Sequence, residues 1–294
     1  MNKSILFLLI SVSFYTLFSC QRKQTEEGIP QLTVSIIPQK YLVSYIAGAK
    51  MEVQEMLPPG SNHETYEPAP RDMEKISSSK LYFAIGALDF ELTWLDRLQS
   101  SNPSMKVIQT STGIEMISGH KHGSETGAEP MHNTGGKDPH TWLSPSCMRI
   151  HASNICKALS DLDTTNASFY ADNMKKFNLL ADSTDQIIHE KLKGCEGKSI
   201  LIYHPALAYF ARDYNIEQIS IEQDGKEPSP AYLAELIKIA GKKNIRSIFI
   251  SKEFDTRNAE AIAAEIHGKV IVFDPMSEKW AENLIHLAEL IATN

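Results

Sequence analysis

Four short stretches of this sequence set a metal-ligating side chain beside an apolar run: GSNHETYEPAP at 60–70, KDPHTWLSP at 137–145, LIYHPALAYFARDY at 201–214 and VIVFDPM at 270–276. Their candidate donors are His63, His140, His204 and Asp274. Three neutral imidazoles and one carboxylate suit Zn(II), which binds histidine nitrogen at about 2.0–2.1 Å. The harder Mn(II) and Mg(II) prefer oxygen. Spacing alone does not select that reading. A histidine beside proline in a loop is more often solvated than liganding, and Asp274 before Pro275 could simply cap a turn. The donors lie too far apart in the chain to make a local motif, so only a fold could join them.

The elements that would position them follow an alternating rhythm. Apolar, β-branched runs predict strands at 32–37, 51–57, 81–86 and 105–109, and again at 199–203, 216–221, 247–251 and 269–273. Amphipathic stretches between them predict helices at 91–99, 145–159, 206–214, 229–240 and 258–267, with one more at the C-terminus; a Pro-rich loop follows the second strand. Residues 166–193 carry a longer helical pattern, with Asn166 as N-cap, Gly194 as terminator and Phe169, Met174, Phe177, Leu180, Ile187 and Leu192 along one stripe. At 1.5 Å per residue that helix runs ~40 Å, enough to span two domains. The expected fold is therefore α/β, with two lobes that each hold a mostly parallel β-sheet flanked by helices, joined by one long helix. The N-terminal lobe covers 31–146, a helical region 147–194, and the C-terminal lobe 195–294. Ligands of such sheets collect outside the carboxyl ends of the strands. All four donors fit that position, two from each lobe, around a cleft between the lobes.

The ends and the composition bound the setting. Lys3 followed by the uncharged run 4–19 has the layout of a secretory signal peptide, residues 1–19. No later segment approaches the ~18 apolar residues of a membrane-spanning helix. Leu17-Phe18-Ser19-Cys20 resembles a lipobox, which implies cleavage before Cys20, a diacylglyceryl group on its thiol, and a lipidated tether over 20–30. Two or more acyl chains would hold the protein firmly on a membrane. The net charge of −7, with no basic stripe, argues against nucleic acid. Cys147, Cys156 and Cys195 match no zinc-finger or redox spacing, so at most one structural disulfide is expected in an export compartment. A monomer is expected.

Taken in order, the four motifs resemble those of the metal-specific solute-binding lipoproteins of bacterial ABC transporters, the zinc- and manganese-uptake family that includes adhesin-type members. The likeness covers nearly the whole mature chain, and EPSP at 227–230 is a further mark of it. It implies metal binding by His63, His140, His204 and Asp274, two lobes bridged by a rigid helix, and delivery of the ion to a membrane permease from a periplasmic or cell-surface lipoprotein. Manganese-type members commonly carry Glu where this chain has His204, so the zinc type is the more similar. Residues 118–137, with His120, His122 and His132, stand where zinc-type relatives carry a His-rich loop, and would make an auxiliary metal loop or a plain solvated one. Glu253 could approach the cleft as an acceptor behind the ligands. No HExxH helix or GxSxG elbow is present. Four protein ligands would leave no open position for a catalytic water, so transport is expected rather than hydrolysis. A manganese- or iron-binding member, a metal-stabilised adhesin and a zinc-dependent hydrolase stand as the alternatives.

Overall fold

The computed structural model describes residues 28–118, 136–222 and 228–294. Cys20, His120, His122, His132 and Glu227 lie outside the described residues.

In the first lobe, strands β1 (Gln31–Val34), β2 (Glu52–Glu55), β3 (Ser79–Ala84) and β4 (Lys106–Gln109) form a parallel sheet in the order β2-β1-β3-β4. Burial follows position. Central β1 and β3 are closed in almost throughout, while the outer β2 and β4 are only half-buried, as expected for a parallel sheet covered by helices on its faces. Helices α1 (Ile37–Ala47), α2 (Pro70–Ile76) and α3 (Asp89–Ser101) connect the strands. The second lobe repeats the plan with β5 (Ser199–Ile202), β6 (Glu217–Ser220), β7 (Ser247–Ser251) and β8 (Lys269–Phe273) in the order β6-β5-β7-β8. Between the lobes run α4 (Pro145–Leu162) and α5 (Ala167–Lys191); α6 (Ala208–Tyr214), α7 (Pro230–Lys243), α8 (Arg257–Glu265) and α9 (Trp280–Thr293) complete the chain.

Helix α2 falls where the sequence suggested only a Pro-rich loop. It begins on Pro70, whose missing N–H is one of the first-turn donors that lack a partner anyway. Asp72 then accepts from Ala69 N at 2.9 Å and from Tyr66 Oη at 2.9 Å.

The long helix α5 has 25 residues and packs against α4, α1 and α9. Its buried stripe is Tyr170, Phe177, Ala181, Thr184 and Ile188. The expected stripe was therefore misplaced by about one position at its ends, where Phe169 and Ile187 are each 38% exposed. Asn166 is the N-cap position as expected, though its side chain makes no capping hydrogen bond. The Asp163 carboxylate accepts from Asn166 Nδ2 at 2.7 Å and from Tyr170 Oη at 2.8 Å, fixing the turn before the helix. Phe177 meets Tyr45 of α1 and Trp280 of α9, each with ring centroids 5.5 Å apart, so one residue of α5 touches both lobes. Cys147, Cys156 and Cys195 are all free thiols. Among the described residues no helix is long and apolar enough to cross a membrane.

Candidate metal centre

Three histidines converge where the carboxyl ends of the two sheets face each other. His63 sits in the segment between β2 and α2, where Tyr66 Oη lies 3.0 Å from Met56 O and Glu64 N donates to the Asn62 side chain at 2.8 Å. His140 follows the chain that leaves β4. His204 comes two residues after β5, and its ring stacks on Phe254 with centroids 5.4 Å apart at 21°. The three are 6%, 3% and 7% exposed, respectively.

Their backs are held differently. Asp138 Oδ1 accepts from His140 N at 2.8 Å and faces His140 Nδ1 at 2.9 Å. Glu222 Oε2 is 3.1 Å from His204 Nδ1, with Glu64 Oε2 at 3.7 Å. An ionised carboxylate can only accept, so Nδ1 carries the proton in both rings and Nε2 presents a bare lone pair. His63 Nδ1, by contrast, is buried without a hydrogen-bond partner.

The Nε2 atoms point at one another. That of His140 lies 3.1 Å from His63 Nε2 and 3.3 Å from His204 Nε2. With both rings neutral, each one's single N–H is committed to a carboxylate, so two lone pairs face each other in the His140–His204 approach and repel unless a proton or a metal cation stands between them. A tetrahedral zinc with bonds of about 2.05 Å would set its nitrogens ~3.3 Å apart, close to the two spacings of 3.1 Å and 3.3 Å around His140. All three ligand atoms lie within 4.8 Å of one another. Trp142 closes the floor, its ring 5.1 Å from that of His140 and 6.2 Å from that of His63.

Asp274 is at the end of β8 but does not join this group. Its Oδ2 accepts from Lys252 Nζ at 2.6 Å, and its Oδ1 from Met276 N at 3.0 Å. A close, half-exposed ion pair with Lys252 occupies one of its oxygens. Glu253 is nearer in effect. Burial raises its carboxyl pKa and the charge of Asp274 raises it further, while His204 opposes them. Spacing did not point to Glu64 and Glu222, which form with His204 a second group able to hold a metal. Adjacency to His63 in NHE was the one available hint for Glu64.

The electrostatics separate the rings. Burial holds the His63 pKa well below the ordinary value, and the neighbouring His140 and His204 add to that. Burial also pulls on His204, but the hydrogen bond to Glu222 and the charges of Glu64, Glu222 and Asp138 outweigh it, so its pKa rises. Burial raises the carboxyl groups of Glu64 and Asp89, which flank the same site.

Residues 32–293 match the family described as the periplasmic zinc-uptake complex component A. The high-affinity zinc uptake system protein of Bacillus subtilis is 24% identical over 279 residues, covering 91% of this chain and 87% of that protein. The manganese ABC transporter substrate-binding lipoprotein of Streptococcus gordonii is 26% identical over 302 residues, covering 95% and 92%. A crystal structure of ZnuA superposes with a TM-score of 0.82 at 35% identity, over 90% of this chain and 98% of that one.

Proposed function

The chain belongs to the periplasmic zinc-uptake component A family, metal-binding substrate-binding proteins of ABC transporters rather than enzymes, and from that premise we propose that it captures Zn(II) outside the cytoplasm and hands it to a membrane permease. The observation that supports the choice of metal is His140 Nε2 lying 3.1 Å and 3.3 Å from the Nε2 atoms of His63 and His204, with the Nδ1 atoms of His140 and His204 facing carboxylates. His63, His140 and His204 supply the affinity. Asp274, expected from the sequence as the fourth ligand, contributes little while Lys252 holds it.

Donor count alone would not separate transport from hydrolysis, because three histidines with an open fourth position also describe some catalytic zinc sites. Family membership removes that alternative. The manganese reading draws support from the relative in Streptococcus gordonii and from the carboxylates of Glu64 and Glu222 beside His204. Three nitrogen donors against two oxygens that sit behind one ring favour zinc. Lipid attachment at Cys20 is part of the same proposal, and the relatives named as lipoproteins support it.

Elemental analysis of the purified protein, with competitive titration by zinc and manganese, tests the assignment. Zinc should bind at least tenfold more tightly and depend on His140. Preference for manganese, or zinc binding untouched by His140→Ala, would overturn it.

A further inference from the structure

The segment that bears His140 is fastened from two sides. On one, Thr141 Oγ1 is 2.8 Å from Nε2 of the buried His151 on α4, whose Nδ1 is 2.9 Å from Thr110 Oγ1 just past β4. On the other, three hydrogen bonds come from the second lobe. Tyr209 Oη donates to Asp138 O at 2.8 Å, Trp280 Nε1 to Trp142 O at 2.7 Å, and Trp142 Nε1 to Pro275 O at 2.8 Å.

Only the first of these three reaches Asp138, whose carboxylate grips both the backbone N–H and the ring of His140. The same Tyr209 hydroxyl accepts from Ile117 N at 3.1 Å, and Ile117 O accepts from Asp138 N at 2.9 Å. One phenol from α6 thus closes a ring of bonds with two backbone positions of the first lobe. Tyr209 is fully buried, and the Arg212 guanidinium lies 5.2 Å from its ring centroid. With no solvent to replace it, the hydroxyl is what satisfies Ile117 N and orients the Asp138 peptide.

We propose that Tyr209 is a positioning residue for metal capture: from the second lobe it fixes Asp138, and through Asp138 the ring of His140. The inference rests on reading His140 as a ligand. Its consequence is that the residence time of the ion depends on the hold of the Tyr209 hydroxyl on Asp138. Loss of that hydroxyl loosens His140 without touching any ligand, because a ligand must be held to within about 0.5 Å to bind well.

Tyr209→Phe keeps the ring, its packing and the guanidinium contact while removing the hydroxyl. Zinc dissociation, followed by transfer to a chelator, should accelerate about three- to tenfold, the factor one hydrogen bond of ordinary net strength is worth, with association unchanged. The ring nitrogen resonances of His140 should shift while those of His204 hold. Tyr214→Phe is the control for lost stability, since it removes another buried hydroxyl from α6, one that donates to Asp185 on α5 at 2.7 Å. It should release zinc at the wild-type rate. An unchanged rate in Tyr209→Phe, or equal acceleration in Tyr214→Phe, overturns the proposal. His140→Ala separates the two readings. Wild-type zinc affinity in that variant removes the ligand assignment itself, whereas lost affinity there with an unchanged rate in Tyr209→Phe removes only the positioning role.

Discussion

Replacing Glu222 tests whether the carboxylate behind His204 sets both the strength and the acid sensitivity of the site. Its Oε2 stands 3.1 Å from Nδ1, and that hydrogen bond leads the influences that lift the ring's pKa against the pull of burial. Removing such a partner from a ligating histidine lowers metal affinity by about ten- to a hundredfold, or about 1.4–2.7 kcal/mol. Glu222→Gln retains an acceptor and loses the charge, so it should fall near the lower end; Glu222→Leu loses both and should fall near the upper. Competitive chelator titration at neutral pH reads the difference. The pH dependence is the sharper check. Protons compete with the metal for Nε2, so the affinity of the wild type falls by up to about tenfold per unit once pH drops below the raised His204 pKa. Without Glu222 that pKa drops, proton competition begins at lower pH, and the gap between variant and wild type narrows on mild acidification. Glu64, 3.7 Å from the same nitrogen, still pulls on the ring, and the double replacement Glu64→Gln/Glu222→Gln should narrow the gap further. Wild-type affinity in Glu222→Leu, or a gap that stays constant with pH, would refute the reasoning.

Alanine at His63, His140 or His204 should each weaken zinc binding more than about a hundredfold, while Asp274→Ala costs less than about tenfold because Lys252 already holds that carboxylate; chelator titration of the four variants checks the order. His151 predicts an acid limb in stability. Burial lowers its pKa to about 3, so the unfolded chain takes up a proton near pH 6.5 that the folded one refuses. Stability is therefore full above that value and lost as pH falls, at up to about 1.4 kcal/mol per unit. Urea unfolding of the metal-free protein across that range should show a shallower slope in His151→Asn. Gly86 has φ 95, and a Cβ there would collide with the Gln109 side chain; Gly60 has φ 78 and open space around it. Gly60→Ala should cost about 1–2 kcal/mol from backbone strain alone, and Gly86→Ala measurably more, read as the difference in thermal midpoint.

The strands were legible because buried parallel strands are continuous β-branched runs bounded by loops: SIFIS is β7 residue for residue, and KVIVF is β8. Three of the four expected donors meet, since strand-end placement follows from the order of elements alone. What the sequence could not carry was orientation. Asp274 follows its strand as anticipated, yet its carboxylate pairs with Lys252, 22 residues away, rather than grouping with the three histidines. Asp138 is visible in KDPH, but its grip on the ring of His140 is a matter of rotamer. Glu222 and Glu64 reach His204 from 18 residues and from the other lobe, separations at which spacing says nothing. On α5 the 3.6-residue period was right in kind, but ambiguous side chains at its ends displaced the stripe, because Phe169 and Ile187 are apolar without being buried.

How the ion leaves is constrained by the core between the lobes. A single cluster of buried apolar side chains runs from the first sheet through α5 to α9. Phe177 and Trp280 are among its members, at 0% and 2% exposure. Exposing two such side chains would cost about 3–6 kcal/mol at 1.5–3 kcal/mol each, a large share of the 5–15 kcal/mol that a typical domain has in total. A wide hinge motion that parts the lobes would have to do that and also break the reciprocal bonds of Trp142 and Trp280. Ligand exchange therefore belongs to the segments with least at stake. His63 is the ring with no partner behind it, on a stretch held by a few turn hydrogen bonds and Tyr66. His140 and His204 are each anchored through Nδ1. On the proposed zinc reading this predicts capture by His140 and His204 with closure by His63, so His63→Ala should speed zinc release to a chelator more than it slows zinc capture in stopped-flow measurements.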